Sequence, residues 1–249
     1  METINSEMHD GVRLIELNRP RRRNAINARM LVELDAVLTE CTEDQELRAL
    51  VITGNDQAFC AGQDLKETEP PDFIHRINMV FDRLARLPVP TVAAIDGWCL
   101  AGGLEMALAC DLRVASGEAQ IGDRHAPIGS IGGAGATVRL TKLLGPTVTK
   151  ELVFSGAVLD AEGARRIGLI SRVYPRADLR NGAIEYARGL CAGDRLTTAY
   201  AKQAITAAVD LPIGDANHLA LSCQESLRAR LERDYTREYS NNRKSSEET

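Results

Sequence analysis

Residues 90–105 read Pro-Thr-Val-Ala-Ala-Ile-Asp-Gly-Trp-Cys-Leu-Ala-Gly-Gly-Leu-Glu, and their reading decides the fold. The apolar, β-branched run Pro90–Ile95 predicts a buried strand. It breaks at Asp96-Gly97, and Gly102-Gly103 stands directly before a helical pattern from Leu104 to Cys110. A glycine pair at a helix start leaves backbone N–H groups uncovered by side chains, at the positive end of the helix dipole. Such a point suits an anion, or a carbonyl oxygen that gains negative charge. Glu105 falls in the first turn of that helix, where a carboxylate can reach whatever the amides hold. A plainer reading fits the same residues: the glycines allow close packing and Glu105 complements the dipole. Taken alone, the stretch leaves both open.

Working outward, Val12–Leu17 predicts a strand that stops at Asn18-Arg-Pro20. A basic turn with Arg19 and Arg21-Arg-Arg23 leads to Asn27, a suitable N-cap for a helix to about Cys41 with Leu31, Leu34, Leu38 and Cys41 on one face. Leu47–Thr53 is a second buried strand, followed by the glycine-bearing loop Ala58-Phe-Cys-Ala-Gly-Gln-Asp-Leu-Lys66. Phe73, Ile77, Phe81 and Leu84 mark an amphipathic helix closed by Pro88 and Pro90. Beyond the 90–105 stretch, Asp111–Ala115 returns as a strand, with a short extension at Ala119–Gly122 and a glycine-rich run at Gly129–Gly135. Strands alternating with helices predict an α/β domain. Helices then dominate: Thr137–Leu144 and Thr147–Phe154 on either side of Gly145-Pro146, a short one capped by Asp160, and about 178–239, broken near Gly193 and Pro212-Ile-Gly214. Gly168–Val173 is a brief extended return, and residues 240–249 are a polar, frayed end. The division expected is a core over 1–190 and a helical region over 191–249.

The 249 residues suffice for a full core. With 30 Lys+Arg against 35 Asp+Glu, a net charge of −5 and a pI near 5.5, the chain has no general nucleic-acid footprint, so a polyanionic ligand must be met locally. A hydrophobic fraction of 44% with mean hydropathy −0.18 is that of a soluble globular protein, and no apolar run approaches the roughly 20 residues of a membrane span. The polar, acidic residues 1–10 resemble neither a signal nor a transit peptide. Six cysteines without a CxxC pair fit buried thiols in a reducing cytosol, and four histidines, none at ligand spacing from another, argue against a metal. Cys60 and Cys99 flank the candidate site as structural thiols, and Asp111 has no GxSxG elbow to serve.

Taken together, these pieces resemble the enoyl-CoA hydratase/isomerase (crotonase) superfamily. The match rests on Asn18-Arg-Pro20 with Asn24-Ala-Ile-Asn27, the 58–66 loop, Pro88-Val-Pro90 with Ala94-Ile-Asp-Gly97, Ala101-Gly-Gly-Leu-Glu105 and Cys110-Asp-Leu-Arg113. It continues through Gly132-Gly-Ala-Gly135 with Arg139-Leu140 and Phe154-Ser-Gly156, in order over nearly the whole chain. The resemblance implies a spiral core of repeated ββα units, a C-terminal helical region used in assembly as a homotrimer or dimer of trimers, and an acyl-CoA thioester substrate. It implies no separate cofactor, because coenzyme A belongs to the substrate. By matching position, the two backbone N–H groups that hold the thioester oxygen belong to Gln63 and Gly102. It also suggests a CoA-binding set of Arg22, Arg23, Ala61, Asp64 and Lys66, and an acyl pocket of Phe73, Ile77, Trp98, Pro127, Ile128 and Ile131. Partners expected are the thioester alone, with no nucleic acid and no membrane, in the cytoplasm.

One position departs from the pattern. Hydratases of the superfamily use two glutamates, and the second falls here on His125. A carboxylate and an imidazole can share syn addition of water, since both tune toward neutral pH. Glu105 is then expected to handle the water and its proton, with His125 orienting the water or acting as second base, and Asp123 is a conceivable substitute. Losing the second carboxylate while keeping Glu105 favours hydration over double-bond isomerisation. Thioester hydrolysis, decarboxylation or isomerisation with His125 as the base, or non-catalytic acyl-CoA binding, on the same scaffold are the alternatives.

Overall fold

The protein is described by a computed structural model covering all residues except Asp56, Glu69, Ala192 and 248–249, with backbone only for 234–247. Two units are distinguished, Met1–Ala192 and Gly193–Thr249. In the first, β1 (Ile4–His9) and β2 (Val12–Leu17) form a hairpin, followed by α1 (Ala28–Glu43). The chain then winds in repeated turns, each a strand, a short strand and a helix. These are β3 (Ala49–Thr53), β4 (Ala58–Cys60) and α2 (Phe73–Ala85), then β5 (Thr91–Ile95), β6 (Trp98–Leu100) and α3 (Gly102–Ala109). A third turn has β7 (Leu112–Ser116), β8 (Gln120–Gly122) and α4 (Ala136–Ser155). The first unit closes with β9 (Val158–Asp160), α5 (Ala161–Arg166), β10 (Arg172–Tyr174) and α6 (Leu179–Gly189).

The long strands make a six-stranded sheet in the order β1-β2-β3-β5-β7-β10, parallel except for the β1–β2 hairpin. The short ones make a second sheet, β4-β6-β8-β9, antiparallel only at β8–β9. Alternation explains the near-continuous apolar runs: both faces of the large sheet are buried. Leu50, Ile52, Ala93 and Ile95 face the main core with α1, α2 and α3, while Ala49, Val51, Val92 and Ala94 meet Leu179, Ala183, Ile184 and Ala187 of α6. This is the spiral of ββα units that the resemblance implies.

Several expectations are met residue by residue. The Asn27 side chain accepts from the Met30 N–H at 2.9 Å, and Asp160 accepts from the Gly163 N–H. Gly145 (φ +78°, ψ 165°) breaks α4 where two helices were expected. Others needed correction. The opening residues form a strand because Asp10 and Gly11 both take positive φ, the two-residue turn that matches strand twist. The polar outer face of that edge strand hid it. The residues of β4, β6 and β9 are too few to show a period. Helix α8 (Ile213–Glu247), which follows α7 (Arg195–Ala208) in the second unit, carries the polar end on as helix to Glu247; the last two residues lie outside the described ones.

Glu33 on α1 secures the first strand. It is 6% exposed and accepts from the Glu2 N–H, the Thr3 N–H and hydroxyl, and Arg29 Nε at 2.7–2.9 Å. Burial opposes its charge, but these donors bring the carboxyl down to about 2. A carboxyl lowered on folding stabilises above its unfolded pKa and loses that contribution as pH falls through the folded one. Glu33→Gln is therefore expected to lower unfolding free energy at pH 7 by about 1–3 kcal/mol. In denaturant titrations that gap should narrow from about pH 4.5 toward about 2; a gap independent of pH would refute the account.

Candidate active site

Two backbone segments meet at the site. After β4 the chain passes Ala61-Gly62-Gln63, and Gly62 takes φ +106°. Ile26 N–H donates to the Gly62 carbonyl and Asp64 N–H to the Ile26 carbonyl, each at 2.8 Å. Both groups flanking Gln63 are thereby used on the Ile26 side, and the Gln63 N–H has no acceptor among the described residues. The second segment is the β6–α3 junction, where Ala101 adopts φ +48°, ψ −117° without a side-chain cap. An L-residue held there stores about 1–3 kcal/mol of strain. It presents the Gly102 N–H as the first of the helix's unpaired donors. A Cβ on Gly62 would lie 3.4 Å from the Gly102 nitrogen, and one on Gly102 would lie 3.5 Å from the Gln63 nitrogen. The two amides thus stand close together, and the positive φ of Gly62 is the conformation that favours glycine there. Gly103 fits α3 against β4: a Cβ there would lie 2.1 Å from the Cys60 carbonyl oxygen.

Glu105, 3% exposed, projects from the first turn of α3. Its Oε1 accepts the Ala134 N–H at 2.8 Å and the Ala136 N–H at 3.1 Å, from the loop that starts α4. Oε2 faces His125 Nε2 at 3.8 Å. Burial raises the Glu105 carboxyl above its usual range, although the two amides and His125 pull the other way. On the far side of the imidazole, Nδ1 lies 2.6 Å from Asp123 Oδ1, which also accepts the His125 backbone N–H at 3.0 Å. That bond raises the imidazole above its ordinary value against its partial burial. Asp123 moves the opposite way, since its bonds to His125 outweigh its burial. The loop holding Glu105 is itself tied to α2. Asn78 donates to the Gly133 carbonyl, and Arg139 bridges the Ala134 carbonyl and Asp82, both at 2.7 Å.

With this geometry in place, comparison with known proteins is decisive. The enoyl-CoA hydratase/isomerase family profile matches residues 7–245. The chain belongs to the enoyl-CoA hydratase/isomerase family. It is 35% identical over 217 residues to the short-chain-enoyl-CoA hydratase of Clostridium acetobutylicum, covering 84% of this chain and 83% of that protein. It is 34% identical over 218 residues to the probable enoyl-CoA hydratase echA8 of Mycobacterium bovis, covering 86% and 85%. The crystal structure of enoyl-CoA hydratase from Bacillus anthracis superposes with a TM-score of 0.89 at 31% identity over 96% of each chain.

Within this family member the other expected site residues separate into groups. The Arg22–Arg23 turn and the 61–66 loop are brought together, because Ala61 N–H donates to the Arg23 carbonyl at 3.0 Å, and Arg22, Arg23 and Lys66 are exposed. Asp64 stands apart from these cations. It is buried and its carboxylate is taken by Arg19 at 2.9 Å and the Lys66 N–H at 3.1 Å, so it shapes the loop from within. The six apolar candidates differ in burial. Phe73 and Ile77 sit in the main core because the apolar face of α2 packs on α1 and α3, whereas Trp98, Pro127, Ile128 and Ile131 are exposed. Burial pushes the Cys60 thiol up to about 12, and Cys99 also rises, which suits inert packing. Asp111 accepts from the Thr91 N–H and hydroxyl, tying β5 to the start of β7.

Sequence reasoning missed the amides of Ala134 and Ala136, and it weighed Asp123 only as a replacement base. The signals were present: Gly132–Gly135 precedes a helix as Gly102-Gly103 does, and an aspartate two residues before a histidine is the spacing of an Asx turn. Among the described residues no group of three or more metal-ligating side chains occurs, and no helix is long and apolar enough to cross a membrane.

Proposed function

We propose that the chain is an enoyl-CoA hydratase, adding water across the C2=C3 bond of a trans-2-enoyl-CoA thioester. The observation that carries this reading is the buried Glu105 carboxylate, one oxygen fixed by two amides and the other turned to His125 across 3.8 Å. A water between them meets a base on one side and an imidazole on the other. Glu105 takes a proton from the water as its oxygen bonds to C3. The C2=C3 electron pair shifts toward C1, and the thioester oxygen becomes an enolate oxygen. The Gln63 and Gly102 N–H groups form the oxyanion hole that receives this charge, and each such donor is worth roughly 3–4 kcal/mol. Protonation at C2 completes the addition. The names of the hydratase relatives, at 34–35% identity over most of both chains, support water addition over other reactions of the fold.

Arg22, Arg23 and Lys66 supply local positive charge for the CoA phosphates in a chain of net charge −5. No further cofactor enters the reaction, because coenzyme A arrives as part of the substrate. The exposed apolar Ile205, Val209 and Ile213 of the second unit support assembly as a homotrimer or dimer of trimers. Sedimentation at three or six times the 27.1 kDa chain is expected, and a monomer would refute it. Six free cysteines support a reducing compartment, read as the cytoplasm; recovery from another compartment on cell fractionation would refute it.

The test of the function is loss of the enoyl-thioester ultraviolet absorbance with purified protein and a series from crotonyl-CoA to longer trans-2-enoyl-CoAs. Saturable loss on at least one member is expected. A folded protein that hydrates none of them overturns the reading.

A further inference from the structure

Asp123 touches His125 but has no part in water addition as described. It lies in the connection between β8 and α4, 1% exposed. Its Oδ1 takes both the backbone N–H and the ring Nδ1–H of His125, so one atom fixes the histidine's main chain and its imidazole together. Its Oδ2 is buried with no hydrogen-bond partner among the described residues, so there the carboxylate's polar contacts are spent on His125 alone. An ionised carboxylate only accepts, so the ring proton must sit on Nδ1, and Nε2 is the nitrogen turned to Glu105. Free imidazole favours the other tautomer. The charged groups facing the ring are Asp123 from its own segment and Glu105 from α3; neighbouring Arg124 turns away to the Gly156 carbonyl at 2.9 Å.

We propose that Asp123 is a positioning residue for hydration: it locks His125 with Nδ1 protonated and Nε2 facing Glu105, and as a second buried negative charge it keeps the ring cationic, making His125 the donor of the C2 proton. The proposal rests on the hydratase reading for its reaction. The atoms balance. Glu105 gains the water proton as hydroxide equivalent bonds to C3, and the His125 Nε2–H proton passes to C2 as the enolate electron pair returns there. Glu105 is left protonated and His125 neutral. Transfer from Oε2 to Nε2 across the 3.8 Å gap, directly or through the next water, restores both. With His125 cationic and both carboxylates ionised the trio carries one net negative charge before and after. A lone imidazole beside Glu105 would hold its proton less firmly. The electrostatics of the pair agree, their shared bond raising His125 and lowering Asp123.

The test is nitrogen and proton NMR of His125 with crotonyl-CoA kinetics, in the wild type and in Asp123→Asn. That substitution keeps an Oδ1 acceptor and removes the charge. There are four histidines, so His125→Gln assigns the signal. The wild type is expected to show the Nδ1–H tautomer when neutral, a reading that needs no variant to fold. In Asp123→Asn the His125 midpoint should fall by about one pH unit or more. The kcat should fall about 10²-fold with KM within a few-fold, and activity should shift toward lower pH. An Nε2–H tautomer in the wild type, or an unmoved midpoint in the variant, overturns the proposal. Wild-type kcat in a variant whose midpoint has dropped overturns the proton-donor role. A wild type with both NMR signatures that hydrates no enoyl-CoA overturns the hydratase reading, and with it the task assigned to the pair.

Discussion

Glu105→Gln is expected to lower kcat on a trans-2-enoyl-CoA by about 10²–10⁴-fold while leaving the protein no less stable. The amide keeps the shape of the side chain and an oxygen for the Ala134 and Ala136 N–H groups, but it cannot take a proton from water. The stability half follows from the direction of the shift. Burial raises the Glu105 carboxyl above its unfolded value, so the native state binds more protons between the two pKa values. Stability then falls as pH rises through that window, and above it the ionised side chain costs stability. Glutamine carries no such cost. Thermal melts at pH 7–8 should place the variant at or above wild type, with the difference vanishing below the unfolded carboxyl pKa. A variant retaining wild-type kcat would remove Glu105 from the chemistry, and one that melted well below wild type would refute the argument that its charge is held at a cost.

Adjacent glycines should fail in different ways. Gly103→Ala puts a methyl 2.1 Å from the Cys60 carbonyl oxygen, a backbone atom that no rotamer change can move, and should destabilise by about 3 kcal/mol or more. Gly102→Ala meets only Ile26 Cδ1 at 3.3 Å and the Gln63 nitrogen and Gly62 Cα at 3.5 Å, none of which demands that backbone move. That variant should fold with a melting temperature close to wild type. Its methyl, however, stands beside the Gln63 N–H, where a thioester oxygen would sit. Obstructing one donor of such a pair costs about 10²–10³ in kcat. Denaturant titration with enoyl-CoA turnover separates the two. If Gly102→Ala turns over like wild type, the two amides do not share an oxygen; if Gly103→Ala folds normally, the β4–α3 contact is looser than described.

Much of this was legible because the decisive features are local. Asn27 and Asp160 announce their helices by cap chemistry, and Gly145 announces the break in α4 by the conformation only glycine enters freely. The parallel strands read as apolar runs because both sheet faces are covered. What stayed hidden depends on partners distant in sequence. Glu33 gathers the first strand from 30 residues away, and nothing in Ile4–His9 alone reports that. Phe73 and Ile77 look the same whether they line a pocket or fill a core, since an apolar period records burial and not what causes it. Nothing around Asp64 in the sequence reports that Arg19, 45 residues earlier, lies against it.

The connection before α4 faces two ways. Its Ala134 amide grips the Glu105 carboxylate, while Ile131, three residues earlier, is 73% exposed, and Asn78 and Arg139 brace it against α2. Under the proposed chemistry, a lineage that altered Ile131 or the bracing side chains would, through a few backbone bonds, also move Glu105. If Ile131 meets the acyl chain as the resemblance implies, substrate range and turnover are mechanically geared, and drift in one should leave its mark on the other.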